Sequence, residues 1–190
     1  MTICSLQRRM GYEAALRTLN TAQGLGIVRR WLTGTLRAIA EIYIPYRLYK
    51  VTLDDHRVQN IRYYAVDAVV GTLDPYEFID APADTWVKVD TRNFHPVRLN
   101  ESRTKGIVVE KVRRMLYSRG FFRLANPGIT AELIEPEFYL PYWAGFYGDE
   151  QNISVIVLNA VRQKVEGSKM RHAVQTWLQL QADVPIPVRE

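Results

Sequence analysis

Glu41 and Glu137 are the first residues whose type and placement could do chemistry. Each opens a version of one motif, "EIYIPYR" at 41–47 and "EFYLPYW" at 137–143. Two carboxylates brought together by a repeated motif can divide into a general acid and a general base. The competing reading is a charged residue at the entrance of an exposed strand, and the sequence favours it. Asp67 and Asn159 sit in otherwise apolar strand ends, where a short polar side chain caps a turn more readily than it acts on a substrate. His56, His95 and His172 are far apart with no ligand-type partner at i, i+4, so each reads as a surface or turn histidine and no metal site is expected. Cys4 has no nearby histidine or basic motif to lower its thiol pKa, which makes it a poor nucleophile. "GLG" at 24–26 reads as a turn before a helix rather than a phosphate loop. No catalytic residue and no cofactor follow from these patterns.

The echo of the two motifs extends along the chain. Glu41, Tyr43, Pro45 and Tyr46 match Glu137, Tyr139, Pro141 and Tyr142; Gln59-Asn60-Ile61 matches Gln151-Asn152-Ile153; and Asp67-Ala68-Val69 falls opposite Asn159-Ala160-Val161. Three blocks in one order, separated by one loop-sized length change, read as an internal duplication.

Each copy contains an extended pair. "IPYRLYKVTL" and "IRYYAVDAVV" flank the turn-rich "DDHRVQN", and "LPYWAGFY" and "ISVIVLNAV" flank "GDEQN", which predicts two β-hairpins. A helical stripe precedes each: Ile27, Val28, Trp31, Leu32, Thr35, Leu36 and Ile39 before the first, and Val108, Val112, Met115 and Leu116 before the second. How the two helices register is left open by the sequence. Residues 5–20 and 168–181 also read as helical, the latter through Met170, Ala173, Val174, Trp177 and Leu178.

The expected fold is therefore α+β, with two divergent helix-hairpin repeats joined in one antiparallel sheet packed with helices and related by a pseudo-two-fold axis. The expected organisation is residues 1–80 for the N-terminal helices and first copy, 81–104 for a connector, and 105–190 for the second copy with its C-terminal helix, all within one compact domain.

The end of the first hairpin, "YAVDAVVGTL", resembles the close of PepSY-type repeats through Asp67, Ala68 and Gly71. The second copy departs from that pattern at Asn159 and Gln163. The resemblance implies a non-catalytic helix-plus-hairpin module that binds or inhibits partners.

Period-two alternation places Tyr43, Pro45, Arg47 and Tyr49 on one face, and Tyr139, Pro141 and Trp143 on the matching one. If helices do not cover it, this face shows Tyr43, Arg47, Tyr139 and Trp143, a surface suited to a protein partner, a small ligand or single-stranded nucleic acid. The other reading is that the rings complete the core. Arg113 and Arg114, with Lys105, Lys111, Arg119 and Arg123, gather positive charge on the second helix and suit nucleic acid.

Composition sets the outer bounds. The chain has 190 residues, 47% of them hydrophobic, enough for a substantial core, and a formal net charge of +5 that favours acidic partners. A single cysteine excludes an intramolecular disulfide and any multi-cysteine metal site. The opening residues lack the long apolar run of a signal peptide, and no stretch is apolar enough to span a membrane, so a cytoplasmic protein without membrane association is expected. Unpaired hairpin edges make a homodimer an expected assembly. The leading functional expectation is a non-catalytic binding or assembly module, followed by single-stranded nucleic-acid binding and then by an enzyme using paired carboxylates.

Overall fold

Two long strands rich in β-branched and aromatic residues organise the chain. In the computed structural model, which describes residues 1–22, 35–54, 59–71, 75–78, 86–118, 128–148 and 153–182, they are β2 (Leu36–Asp54) and β6 (Gly128–Gly148). The remaining elements are β1 (Thr2–Leu6), α1 (Tyr12–Ala22), β3 (Gln59–Asp67), β4 (Tyr76–Phe78), β5 (Trp86–Asp90), α2 (Glu101–Ser118), β7 (Ile153–Asn159), β8 (Lys164–Val165) and α3 (Ser168–Ala182). Among the described residues the fold is thus α+β, with eight strands and three helices. The strand order is β4-β3-β2-β6-β1-β5, with β7 pairing β6 and β8 pairing β7.

Both expected hairpins form. β2 and β3 pair antiparallel from Tyr46 opposite Asp67 to Asp54 opposite Gln59. β6 and β7 pair from Tyr142 opposite Asn159 to Gly148 opposite Ile153. The sheet is mixed, however, rather than purely antiparallel: β1 runs parallel to β6 at Ser5 and Tyr139, and Tyr43 and Phe94 make a parallel bridge.

Two expectations from helical periodicity need correction. Residues 5–20 divide between the end of β1 and α1, because Thr2–Leu6 pairs along its whole length with β5. Residues 36–40 open β2 instead of ending a helix, a case of sheet pairing overriding a helical stripe; residues 26–34 of that stripe lie outside the described residues. Within residues 81–104, Trp86–Asp90 forms β5, and α2 begins at Glu101. The helix over 168–181 is present as α3, with Met170, Ala173, Val174 and Trp177 buried.

The chain divides into two compact units built from interleaved segments. One comprises Met1–Gln7 and Tyr43–Leu140; the other comprises Arg8–Ile42 and Pro141–Glu190. In the first, α2 lies on β3, burying Val108 and Val112 against Tyr49, Val51, Tyr64 and Val66. Its start is capped by Asn100, whose Oδ1 accepts from the Arg103 N–H at 2.9 Å, with Glu101 favourable in the first turn. In the second, α1 and α3 lie against β7, and α1 buries Ala15 and Leu19 among Trp143, Tyr147 and Leu158. Gly145 lets α1 approach: a Cβ there would meet both Leu19 methyls, at 3.1 and 3.2 Å.

Each hairpin ends in a turn tied by its own polar side chain. Buried Asp67 accepts through Oδ1 from the N–H groups of Val69 (3.3 Å), Val70 (2.9 Å) and Gly71 (2.8 Å). Buried Asn159 accepts through Oδ1 from those of Val161 (3.0 Å) and Arg162 (2.8 Å). The sequence expectation of turn caps holds at both positions. Gly71 and Gln163, each four residues after its cap, have φ of 67° and 56°, the left-handed region that favours glycine.

Asp67→Ala leaves three N–H groups without their acceptor and is expected to cost about 2 to 3 kcal/mol, with Asp67→Asn milder because an oxygen remains. Gly71→Ala is expected to destabilise by a similar amount, since its Cβ would run into the Ile107 side chain in an unfavourable φ. Gln163→Gly should be neutral to stabilising by up to about 1 kcal/mol. Urea denaturation of the four proteins beside wild type checks the order.

Candidate functional site

The aromatic face expected on the hairpins lies in the core. Ile42 to Tyr46 are buried without interruption, as are Phe138 to Gly145, so both faces of these strand segments are covered and the alternation of inside and outside is lost. Tyr43 and Tyr139 pack with Ile3 against Val89 and Phe94. Trp143 belongs to a different cluster, with Met10 and Leu19. Of the aromatic and arginine set Tyr43, Arg47, Tyr139 and Trp143, only Arg47 is half-buried, and its Nη1 donates to the Leu99 carbonyl at 2.5 Å and to Thr104 Oγ1 at 3.3 Å.

The buried rings keep their polar tips satisfied. Tyr139 OH donates to Glu137 Oε1 at 2.6 Å, Tyr147 OH to the Leu19 carbonyl at 3.0 Å, and Trp143 Nε1 to the Met10 carbonyl at 3.0 Å. Burial pushes the Tyr147 hydroxyl up to about 12, and burial reinforced by Glu137 raises that of Tyr139. Both remain protonated donors at neutral pH. Tyr49, also raised by burial, shares a 2.6 Å hydrogen bond with Thr104 Oγ1.

The two glutamates are engaged separately. Arg8 Nη1 reaches both oxygens of Glu41, at 2.8 and 2.7 Å, while Glu137 accepts from Tyr139. Cys4 is exposed, and partial burial followed by Glu135 raises its thiol pKa against the opposing pull of Lys88. A raised pKa keeps the thiol protonated and weakly nucleophilic. His172 is exposed as expected. His95 is not: it is 2% exposed, its Nδ1 lies 2.7 Å from the Pro96 carbonyl oxygen, and its backbone N–H donates to the Tyr43 carbonyl at 2.9 Å. It closes the segment that bridges to β2, a packing role invisible in isolated histidine spacing. His56 and the 24–26 glycine turn lie outside the described residues. Among the described residues there is no group of three or more metal-ligating side chains, and no helix is long and apolar enough to cross a membrane.

Arg113 and Arg114 stand on the outward side of α2, opposite the buried Val108 and Val112. Arg114 is paired with Glu110 one turn earlier. Arg103 and the partly exposed Tyr117 share that outer side; Arg119 and Arg123 lie outside the described residues.

A second surface constellation was not singled out by sequence pattern. The Arg8 guanidinium lies 5.8 Å from the centre of the Trp143 ring, and half-exposed Tyr12 meets the same ring edge-on at 5.9 Å. Arg8, Tyr12, Glu41 and Trp143 come from three separate segments, so only the Arg8-Arg9 doublet was a local signal. Compared with models of protein families, with curated proteins and with solved structures, the chain matches none.

Burial, the largest influence, lowers the His95 pKa from its ordinary 6.5; Arg98 lowers it further, while the Pro96 hydrogen bond and Asp67 act in the opposite direction. A lowered folded-state value means that the unfolded chain takes up a proton first as pH falls. The contribution of His95 is therefore fully present above about 6.5 and is lost as pH drops from there through the folded value. Thermal unfolding between pH 8 and 5 should show this loss in wild type and a flatter profile in His95→Gln, after comparison at pH 8 to remove the packing cost.

Proposed function

We propose that this chain is a non-catalytic binding or assembly module that arose by internal duplication. The observation that carries the reading is the use of its polar candidates as structural ties: Asp67 and Asn159 hold turns, Glu41 holds Arg8, and Glu137 holds Tyr139. A fold that spends these side chains on its own closure presents surfaces rather than reacting groups.

Several paired contacts support the duplication and its pseudo-two-fold relation. The Ala68 N–H donates to the Pro45 carbonyl and the Ala160 N–H to that of Pro141, at 2.9 and 3.1 Å. The Ala68 carbonyl in turn accepts from Arg98 and Leu99, and that of Ala160 from Arg9 and Met10. Arg47 and Trp143, at matching places in the motif, donate to the carbonyls of Leu99 and Met10. Ser5 with Phe94, Arg9 with Arg98, Met10 with Leu99, Ala15 with Thr104 and Leu19 with Val108 are all separated by one constant spacing. On this reading the counterpart of α2 is α1, not the helical stripe at 26–40.

The PepSY-like resemblance fits the same reading, since the turn at Asp67, Ala68 and Gly71 is where the hairpin is tied. A cytoplasmic setting fits the single, protonated Cys4. The alternative of single-stranded nucleic-acid binding is favoured by Arg103, Arg113, Arg114 and Tyr117 on the outer side of α2, in place of the buried rings.

Sedimentation velocity and native mass spectrometry of the purified protein, alone and after incubation with candidate ligands, test the module. Self-association to a homodimer, or stoichiometric binding without chemical change, is expected. A turnover activity lost in folded Glu41→Gln or Glu137→Gln overturns the reading.

A further inference from the structure

We infer that the turn after β7, together with the segment before α1, forms a surface that binds the backbone of single-stranded nucleic acid. This deepens the binding-module reading and rests on it. Arg9 is fixed at this turn by its own backbone, whose N–H donates to the Ala160 carbonyl at 2.9 Å and whose carbonyl accepts from Gln163 Nε2 at 3.3 Å. The turn itself carries exposed Arg162 and Lys164 on either side of Gln163. Arg8 adds a fourth cation, held over Trp143 and against Glu41, and Tyr12 follows with half its surface open.

The charge is local to this turn. Three residues after the capping Asp67 stands exposed Val70, whereas three residues after Asn159 stands Arg162. Four residues after the caps stand Gly71 and Gln163, both at positive φ. Glutamine tolerates that backbone at a cost that glycine avoids, and its side chain ties the turn to Arg9. Cations on a turn tied by its own hydrogen bonds, beside an open ring, are what phosphates and an unstacked base require together.

The test is fluorescence anisotropy of labelled, mixed-sequence single-stranded RNA and DNA, from about 50 to 300 mM salt. Wild type is expected to bind with steep salt dependence. Arg162→Ala/Lys164→Ala should weaken binding about tenfold at low salt and reduce the salt slope by about 1.4, the share of two phosphate contacts on a single strand. Tyr12→Ala should weaken it about tenfold at every salt with the slope unchanged. All three positions are exposed, and an unchanged melting midpoint shows that the fold is kept. Unchanged affinity and slope in the double variant overturn the inference. So does loss in Arg113→Ala/Arg114→Ala alone, which assigns the interface to α2, or equal displacement of the RNA by polyglutamate, which assigns an acidic protein. Absence of binding by wild type at low salt overturns it too, while the module itself stands or falls on its sedimentation test.

Discussion

A carboxylate buried at the end of a hairpin is the constraint on which the first unit depends. Asp67 is fully buried, and its position is tolerable because three N–H groups converge on one oxygen. Those donors belong to the turn that reverses the chain, so the bonds that satisfy the buried carboxyl oxygen also fix the turn. The turn then aims the Ala68 carbonyl at Arg98 and Leu99, and one residue beyond them Asn100 caps α2. The placement of that helix over Tyr49 and Tyr64 thus descends from a single buried oxygen through backbone bonds.

The second unit reaches the same kind of closure with weaker chemistry. Asn159 is neutral and holds two N–H groups with its oxygen, while its Nδ2 donates to Glu166 at 3.1 Å. Further support comes from the core: Trp143 donates to Met10 and Tyr147 to Leu19, tying β6 to the α1 segment through rings that also fill the cluster. Each ring combines apolar area with one satisfied donor, so burial and hydrogen bonding act on the same contact.

The hairpins and the helices α2 and α3 were legible because their signals are local: β-branched and aromatic runs around turn residues, and apolar stripes at helical spacing. The turn caps were legible for the same reason. The N-terminal strand was not, since the pairing of Thr2–Leu6 with Trp86–Asp90 is a long-range fact that no local pattern over residues 5–20 reports. Likewise, alternation can say that Tyr43 and Arg47 share a face, but not whether that face is covered. Continuous burial over Ile42–Tyr46 decides it, and that burial is supplied by residues such as Ile3 and Phe94 from distant parts of the chain.

The contrast between the two turns bears on how a scaffold acquires a surface. Where the backbone geometry is held by the residue at the cap, the next exposed position is released from structural duty and can change in charge at little cost in stability. Val70 and Arg162 occupy such positions. The left-handed residue is less free: Gly71 is confined by Ile107 and Leu99, so any side chain there meets the core, whereas Gln163 is exposed and reaches Arg9. One turn is therefore closed to variation by packing against α2, and the other is open to solvent. Surface chemistry has accumulated at the open one, where Arg8, Arg9, Arg162 and Lys164 are found.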